Sequence, residues 1–280
     1  MPDSIGFCCG VRRTLQLVDN AIKTTSGNIF TDGELVHNKT ITESLHDQGI
    51  KILSDDDLIT IQQEDCIITR AHGLPQSRQQ YLYSQNCKII DGTCPHVRQI
   101  IKTIRSAAQN GNTIIIVGNK QHPEVIALIS AANNSSCHVI SSLDDISSLP
   151  NIHENILFLA QSTIDQGHFN ILSDGIRQKY KNVTIYNSIC QSSKNRQSAI
   201  NDLIKHGAQA IVVVGGKHSN NTCVLVKKVI EHGIPAFHVE SDIDIDIPAL
   251  SKFHTIGIIS GASTHDDDIN NVINLLKNIT

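Results

Sequence analysis

The sequence predicts an α/β protein of three pseudo-symmetric units, with mostly parallel sheets arranged around a central cavity. Two observations lead to this fold class. Short runs rich in Val and Ile alternate with segments whose apolar residues have helical spacing, and a cysteine followed by a helix pattern occurs three times. Alternation of this kind is typical of parallel sheets flanked by helices.

The predicted strands are short apolar runs of the kind that is buried on both faces of a parallel sheet. They are KIIDGT, NTIIIVG, NILFLA, VTIYNSI, AIVVVGG and TIGIIS. The segments after the three cysteines have the apolar periodicity of amphipathic helices. These segments are VRRTLQLVDNAIK, PHVRQIIKTIRSAAQ and KNRQSAINDLIK.

The repeat is defined by Cys8, Cys94 and Cys190, which stand at similar intervals along the chain. After each helix pattern comes a strand, and then a polar loop at a nearly constant distance from the cysteine. The spacing predicts three units: residues 9–93, residues 94–189, and residues 190–280 together with 1–8. Because loops at the carboxyl ends of parallel strands form the ligand crevice, we expect the cysteines and polar loops to face one centre.

Composition excludes several classes of function. The net charge is −4 and there is no Trp among 280 residues, which argues against a nucleic-acid partner. The apolar runs are too short to span a membrane. We find no charged-then-apolar leader and expect a cytoplasmic protein. In such a protein, eight cysteines favour metal binding or catalysis over disulfides.

The three repeated cysteines suit a soft metal or an iron–sulfur cluster. Each is expected at a helix N-terminus, where the helix dipole and unpaired N–H groups favour a thiolate. Three thiolates would leave one position of a four-iron cluster open for substrate. There is no CxxC motif, which argues against a zinc ribbon or a thioredoxin-like site.

The polar loops suit an anion, because they offer many hydrogen-bond donors without a cluster of Lys or Arg. A small, multiply charged group such as a diphosphate is the ligand we expect. Glu124 is an acid among these donors, and it is useful there as a proton donor or relay. The candidate anion-binding residues are His37, His72, His122, Ser219, Asn220, Asn221 and Ser263.

With these residues assembled, the chain resembles the IspH/LytB family of diphosphate reductases of the non-mevalonate isoprenoid pathway. The resemblance covers essentially the whole chain. It depends on nine motifs in order, each weak alone and highly specific together. They are GFCCGV, LVHNK, AHG, DGTCPHV, HPEV, AQST, SICQSSKNRQ, GGKHSNNT and GIISGAS.

The resemblance implies the reductive dehydroxylation of 4-hydroxy-3-methylbut-2-enyl diphosphate to isopentenyl and dimethylallyl diphosphate. It implies that Cys8, Cys94 and Cys190 hold a 4Fe–4S cluster with one open iron. The His, Ser and Asn residues of the polar loops would hold the diphosphate. Glu124, with Ser162 and Thr163, would deliver protons. A ferredoxin or a flavodoxin would supply the two electrons.

Two departures from the family pattern lead to further expectations. Ser162 stands where Thr is usual, so the hydroxyl is kept but its rotamer is less restricted. Only a short segment precedes Cys8, so we expect either that this sequence starts late or that the third sheet lacks most of an edge strand. Two alternatives remain open at this point. They are a non-redox protein that binds phosphate or zinc, and a non-catalytic member of the family.

Overall fold

The computed structural model describes residues 4–36, 38–54, 60–133 and 135–278. The chain divides into two compact bodies. The smaller body comprises Met1–Arg12, Val36–Leu45 and Cys190–Thr280, and the larger body comprises Arg13–Leu35 and His46–Ile189. The α/β class is confirmed, with three sheets whose strand pairs are all parallel. The division into three sequence units stays a prediction.

The larger body contains two four-stranded sheets, with strand orders β2-β1-β3-β4 and β6-β5-β7-β8. Each corresponds to one predicted repeat. The strands of the first are β1 (Ile29–Asp32), β2 (Lys51–Ile52), β3 (Cys66–Thr69) and β4 (Lys88–Ile90). Those of the second are β5 (Thr113–Val117), β6 (Cys137–Ile140), β7 (Ile156–Ala160) and β8 (Val183–Tyr186).

The smaller body contains a three-stranded sheet of order β10-β9-β11. Its strands are β9 (Ala210–Val214), β10 (Ala236–Val239) and β11 (Ile256–Ser260). Among the described residues no fourth strand pairs with β11. The N–H of Gly6 instead donates to Ser260 Oγ (2.8 Å), and the N–H of Cys8 donates to the carbonyl of Ala262 (2.9 Å).

Helices connect and cover the strands. They are α1 (Cys9–Thr24), α2 (Lys39–Asp47), α3 (Gln76–Tyr83), α4 (Pro95–Gln109), α5 (Pro123–Ala131), α6 (Leu143–Ser148), α7 (Gln166–Lys179), α8 (Gln191–Lys205), α9 (Asn220–Glu231), α10 (Ile247–Leu250) and α11 (Asp266–Lys277), with a 3₁₀ turn at Asp242–Asp244. Among the helices that the structure describes, none combines the length and the apolar composition that crossing a lipid bilayer requires.

The core follows the Val and Ile runs. Every residue of β5, β7 and β9 is buried, because helices cover both faces of a parallel sheet. The helix after Cys94 buries Val97, Ile100, Ile104 and Ala107, a single stripe at helical spacing. Burial of each such side chain stabilises the fold by about 1.5–3 kcal/mol. The strands are therefore rigid supports for the loops at their ends.

Strand register decides which loops lie side by side. Val117 at the end of β5 pairs with Ala160 at the end of β7, so the loops that follow these two strands are neighbours. In the smaller body Val214 at the end of β9 pairs with Ser260 at the end of β11 in the same way. These two pairs of neighbouring loops carry most of the candidate site residues.

Candidate active site

All eight cysteines lie within the described part of the chain, and none is in a disulfide. In the smaller body, Cys8 immediately precedes α1, and its Sγ accepts the N–H of Val11 at 3.4 Å. Cys190 is the cap residue of α8, and its Sγ accepts the N–H of Ser193 at 3.3 Å. Both thiols therefore lie at a helix N-terminus, where backbone N–H groups stabilise negative charge on sulfur.

Cys94, in the larger body, has the corresponding place on α4. It is the cap residue, Pro95 is the first helical residue, and the N–H of Cys94 donates to the carbonyl of Ala71 at 3.0 Å. Proline is favoured at this position because its missing N–H costs the helix nothing there. The third expected ligand therefore also stands at a helix N-terminus.

The other cysteines differ in their surroundings. Cys66 lies inside β3, and burial raises the pKa of its thiol. Burial also raises the pKa of Cys137 to about 11, which keeps this thiol neutral. Among the described residues, no three or more His, Cys, Asp or Glu side chains are grouped closely enough to hold a metal ion. The ligand set of three cysteines stays a prediction.

Glu124 is the second residue of α5 and is buried, with 2 % of its surface exposed. Its Oε1 accepts the N–H of Ser162 and its Oε2 accepts the hydroxyl of Ser162, both at 2.7 Å. Burial is the largest effect on the carboxyl and raises its pKa; the two hydrogen bonds from Ser162 and the charge of His96 act in the opposite direction. The net result is an acid that holds its proton above the ordinary range of a glutamate.

His122 and Thr163 belong to the same two loops as Glu124 and Ser162, whereas His72 follows β3 in another sheet. His122 caps α5, with its Nδ1 accepting the N–H of Glu124 at 3.1 Å. The ring of His72 lies edge-on to that of His122, with centroids 5.2 Å apart. Thr163 Oγ1 lies 3.2 Å from Nε2 of Gln161. The larger body thus brings together Glu124, Ser162 and two of the three candidate histidines.

The smaller body brings together the candidate Ser and Asn residues. Ser219 caps α9, and Asn221 is the second residue of that helix, 6 % exposed. Asn221 Oδ1 accepts the hydroxyl of Ser193 at 3.3 Å, and that hydroxyl also lies 3.1 Å from Cys190 Sγ. The Nδ2 of Asn221 is buried and has no acceptor among the described residues. An unpartnered buried donor is costly and indicates space for an acceptor.

The remaining candidates are placed as follows. Asn220 is the first residue of α9. Ser263 is half-buried and directly follows Ala262, whose carbonyl accepts the N–H of Cys8. His37 lies outside the described residues. The neighbouring Asn38 is described: its Oδ1 accepts the N–H of Ile41, and its Nδ2 donates to Asp268 Oδ2 at 3.3 Å.

A protein-family model described as "LytB protein" matches residues 1–277. The chain belongs to the LytB family. Two curated relatives carry the name 4-hydroxy-3-methylbut-2-enyl diphosphate reductase. The one from Opitutus terrae is 36% identical over 93% of this chain and 92% of its own length. The one from Alkaliphilus oremlandii is 32% identical over 99% of this chain and 98% of its own length.

Two solved structures are similar to this LytB chain over 98% of its length. The E-1-hydroxy-2-methyl-but-2-enyl-4-diphosphate reductase of Plasmodium falciparum has a TM-score of 0.92, with 25% identity and 86% of its own chain covered. A (E)-4-hydroxy-3-methyl-but-2-enyl diphosphate reductase, described as the terminal enzyme of the non-mevalonate pathway, has a TM-score of 0.73, with 28% identity and 97% covered. The resemblance found in the sequence is confirmed.

One residue next to the candidate site of this LytB chain was not among the residues singled out from the sequence. His96, two residues after Cys94, contributes a charge that lowers the pKa of Glu124, and its Nε2 lies 2.7 Å from the carbonyl of Ser188. The signal was its position beside a candidate ligand, at the start of a helix.

Proposed function

We propose that this chain is a 4-hydroxy-3-methylbut-2-enyl diphosphate reductase, acting at the last step of the non-mevalonate isoprenoid pathway. The family match over residues 1–277 and the names of relatives that are at least 30% identical over nearly their whole length support this activity. The observation that carries it within the structure is Glu124, a buried acid bonded through both carboxyl oxygens to Ser162.

The reaction needs two electrons and two protons. The carbon–oxygen bond to the hydroxyl breaks, one proton leaves with that oxygen as water, and the other proton adds to an allylic carbon. The products are isopentenyl and dimethylallyl diphosphate. The residues must therefore hold an anionic substrate, keep a proton available, and keep bulk water away from the reacting carbon.

LytB reductases use a 4Fe–4S cluster, which supplies the electrons when it is bound. The donors of this chain fit such a group, because Cys8, Cys94 and Cys190 each stand at a helix N-terminus that favours thiolate. We assign these three cysteines as its ligands. A ferredoxin or a flavodoxin is the electron donor that we propose.

Glu124 is the residue that we assign to proton transfer. Burial holds a proton on its carboxyl, which is the form that can donate to a leaving hydroxyl. The N–H and the hydroxyl of Ser162 fix the positions of both carboxyl oxygens, so the acid needs no reorientation before it donates. Thr163 follows Ser162 in the same loop and adds a second hydroxyl for proton relay.

The diphosphate is assigned first to donors of the smaller body: Ser219, Asn220, Asn221 and Ser263. The strongest support is the buried Nδ2 of Asn221, which has no acceptor among the described residues. Helix α9 begins at Asn220, so its dipole favours an anion there. The resemblance assigns His37, His72 and His122 to the same ligand, and they stay part of the proposal.

Replacement of one ligand, with a matched control, tests the proposal. Cys190→Ala should leave the anaerobically purified protein colourless and inactive, whereas Cys223→Ala should keep about four irons per chain and full activity. Cys223 is an exposed thiol on α9 and is the appropriate control. Stoichiometric zinc in the unaltered protein, with no reduction of the allylic diphosphate by a reduced donor, would contradict the proposed activity.

A further inference from the structure

Each candidate ligand is preceded, two residues earlier, by a backbone carbonyl that accepts a hydrogen bond from a distant basic side chain. The three carbonyls belong to Gly92, Ser188 and Gly6, and the donors are Arg13, His96 and Arg196. Donor and acceptor are 79, 92 and 190 residues apart in the chain.

Arg13, on α1, holds the segment before Cys94. Its Nη1 donates to the carbonyls of Gly92 (3.4 Å) and Thr93 (3.3 Å), and its Nη2 donates to the carbonyl of Asp91 (3.2 Å). The buried hydroxyl of Thr14 also donates to Gly92, at 3.2 Å. A Cβ at Gly92 would lie only 1.9 Å from a neighbouring backbone oxygen, so this segment is closely packed as well as hydrogen-bonded.

His96, on α4, holds the segment before Cys190. Its Nε2 lies 2.7 Å from the carbonyl of Ser188, and because a carbonyl only accepts, this nitrogen must carry the hydrogen. Ser188 is completely buried, and its Oγ is bonded to both the N–H and the carbonyl of Ala160 at the end of β7. The imidazole therefore bonds to a segment that is itself anchored to the sheet.

Arg196, on α8, holds the segment before Cys8. Its side chain is completely buried, and it donates to three main-chain carbonyls, those of Gly6 at 2.5 Å, Ser260 at 3.2 Å and Ser192 at 3.3 Å, as well as to the hydroxyl of Ser192. A buried guanidinium is costly to desolvate, so its hydrogen bonds must be made, and the one to Gly6 fixes the segment before Cys8. Residues 4–7, the described residues before Cys8, form no strand, and Arg196 adds a hydrogen bond to this segment beside those made by the N–H groups of Gly6 and Cys8.

The order of these contacts along the chain is cyclic. The helix after Cys8 bonds to the segment before Cys94, the helix after Cys94 bonds to the segment before Cys190, and the helix after Cys190 bonds to the segment before Cys8. We propose that Arg13, His96 and Arg196 are positioning residues that fix each cysteine for cluster binding from the helix of the preceding repeat. This inference rests on the proposed function, in which the three cysteines are the ligands.

The physical consequence is that each thiol is held in place before any metal binds. A ligand loop that is already ordered loses less conformational entropy when the cluster binds. The free energy of cluster binding is therefore more favourable by that amount. Each substitution should therefore loosen the next cysteine in the cycle and leave the cysteine of its own repeat nearly unchanged. A residue that only stabilised its own helix would show the reverse.

Amide hydrogen exchange on the full chain, with Arg13→Met, His96→Phe and Arg196→Met, tests this order directly. Loss of a hydrogen bond from a charged donor should speed exchange in the targeted segment about tenfold. Arg13→Met should do so around Cys94, His96→Phe around Cys190, and Arg196→Met around Cys8. The control is Arg177→Met, an exposed arginine on α7 that pairs only weakly with Asp174, at 3.8 Å, and it should change none of the three.

The second readout is the rate at which a chelator removes iron from the anaerobic protein. The three variants should lose iron about tenfold faster than the control, because loop opening limits access. If Arg196→Met does not fold, Arg196→Lys replaces it, and the other two variants decide the order independently.

The inference is overturned if amide exchange rises only in the repeat that contains the substituted residue, or rises equally around all three cysteines. This holds even if the wild type carries its cluster. An iron-free wild type overturns the proposed function instead, while the exchange pattern still decides the positioning role.

Discussion

Glu124 and Asn221 occupy the same place in two of the repeats that the sequence predicts, and they differ in chemistry. Each is the second residue of a helix that follows a fully buried central strand, and each helix is capped by the residue two positions earlier, His122 or Ser219. Both side chains are buried. The carboxyl of Glu124 has partners on both oxygens, whereas the amide of Asn221 has a partner on Oδ1 and none among the described residues on Nδ2.

The comparison shows that the second residue of such a helix can serve two different chemical purposes. A helix N-terminus normally favours a charged carboxylate and lowers its pKa. At Glu124 desolvation is the larger effect, and the pKa is raised. The position therefore holds a proton in one repeat. In the other repeat, the same position holds a neutral amide whose Nδ2 is buried, and we propose that it donates to the diphosphate.

The largest expected effect comes from Glu124→Gln. The amide keeps the shape and can still accept the N–H of Ser162, but it cannot donate a proton as an acid does. We expect kcat to fall about 100-fold or more, with iron content and substrate KM retained. Steady-state kinetics with a reduced donor measures this. The control is Glu154→Gln, an exposed carboxylate, which should be as active as the wild type. A Glu124→Gln variant within a few-fold of the wild type would remove Glu124 from proton transfer.

The next effect tests the other half of the comparison. Asn221→Asp puts a carboxyl group at the second residue of α9, where α5 has the carboxyl of Glu124. A carboxylate would repel the diphosphate and remove the Nδ2 donor, so we expect inorganic diphosphate to bind about 10- to 100-fold more weakly. Calorimetry measures the affinity, and Asn201→Asp, on the exposed face of α8, adds the same charge elsewhere. Equal affinity in both variants would show that the anion binds away from Asn221.

A smaller effect is expected from Ser162→Ala. The hydrogen bonds of Ser162 lower the pKa of Glu124, so losing the hydroxyl should raise that pKa further. In the proposed mechanism the protonated acid is the active form, so the alkaline fall in kcat should move to higher pH. The poorly positioned acid should also lower the maximal rate about tenfold. Ser162→Thr keeps the hydroxyl and should restore the profile of the wild type. A fall that moves to lower pH in Ser162→Ala would contradict this coupling.

The smallest effect concerns stability. The pKa of Glu124 is higher in the folded state than in the unfolded chain, so between these two values the folded state holds a proton that the unfolded state has released. The free energy of unfolding must therefore decrease as pH rises through this range. The Glu124→Gln variant has no carboxyl at this site, so its free energy of unfolding does not decrease in this way. The difference between its Tm and that of the wild type should therefore increase with pH and level off above the pKa of Glu124 in the folded state. Thermal denaturation at several pH values checks this, and parallel curves would contradict it.

Much of this comparison could be predicted from the sequence. Buried strands such as β5 and β9 are continuous runs of Val and Ile, and the repeat spacing places Glu124 and Asn221 in loops that follow them. The partners of buried polar groups could not be predicted. Periodicity shows that a side chain faces the core, but Arg196 lies 190 residues from the carbonyl of Gly6 that it binds, and only the folded chain brings the two together.

The most direct test of the account is the iron content and the paramagnetic-resonance spectrum of anaerobically purified protein, recorded before and after the allylic diphosphate is added. We predict about four irons and four sulfides per chain, a spectrum that changes when the diphosphate binds, and turnover to the two isomeric products with a reduced donor. Protein that is iron-free after anaerobic handling, or whose cluster spectrum is unchanged by saturating diphosphate, would contradict the central claim.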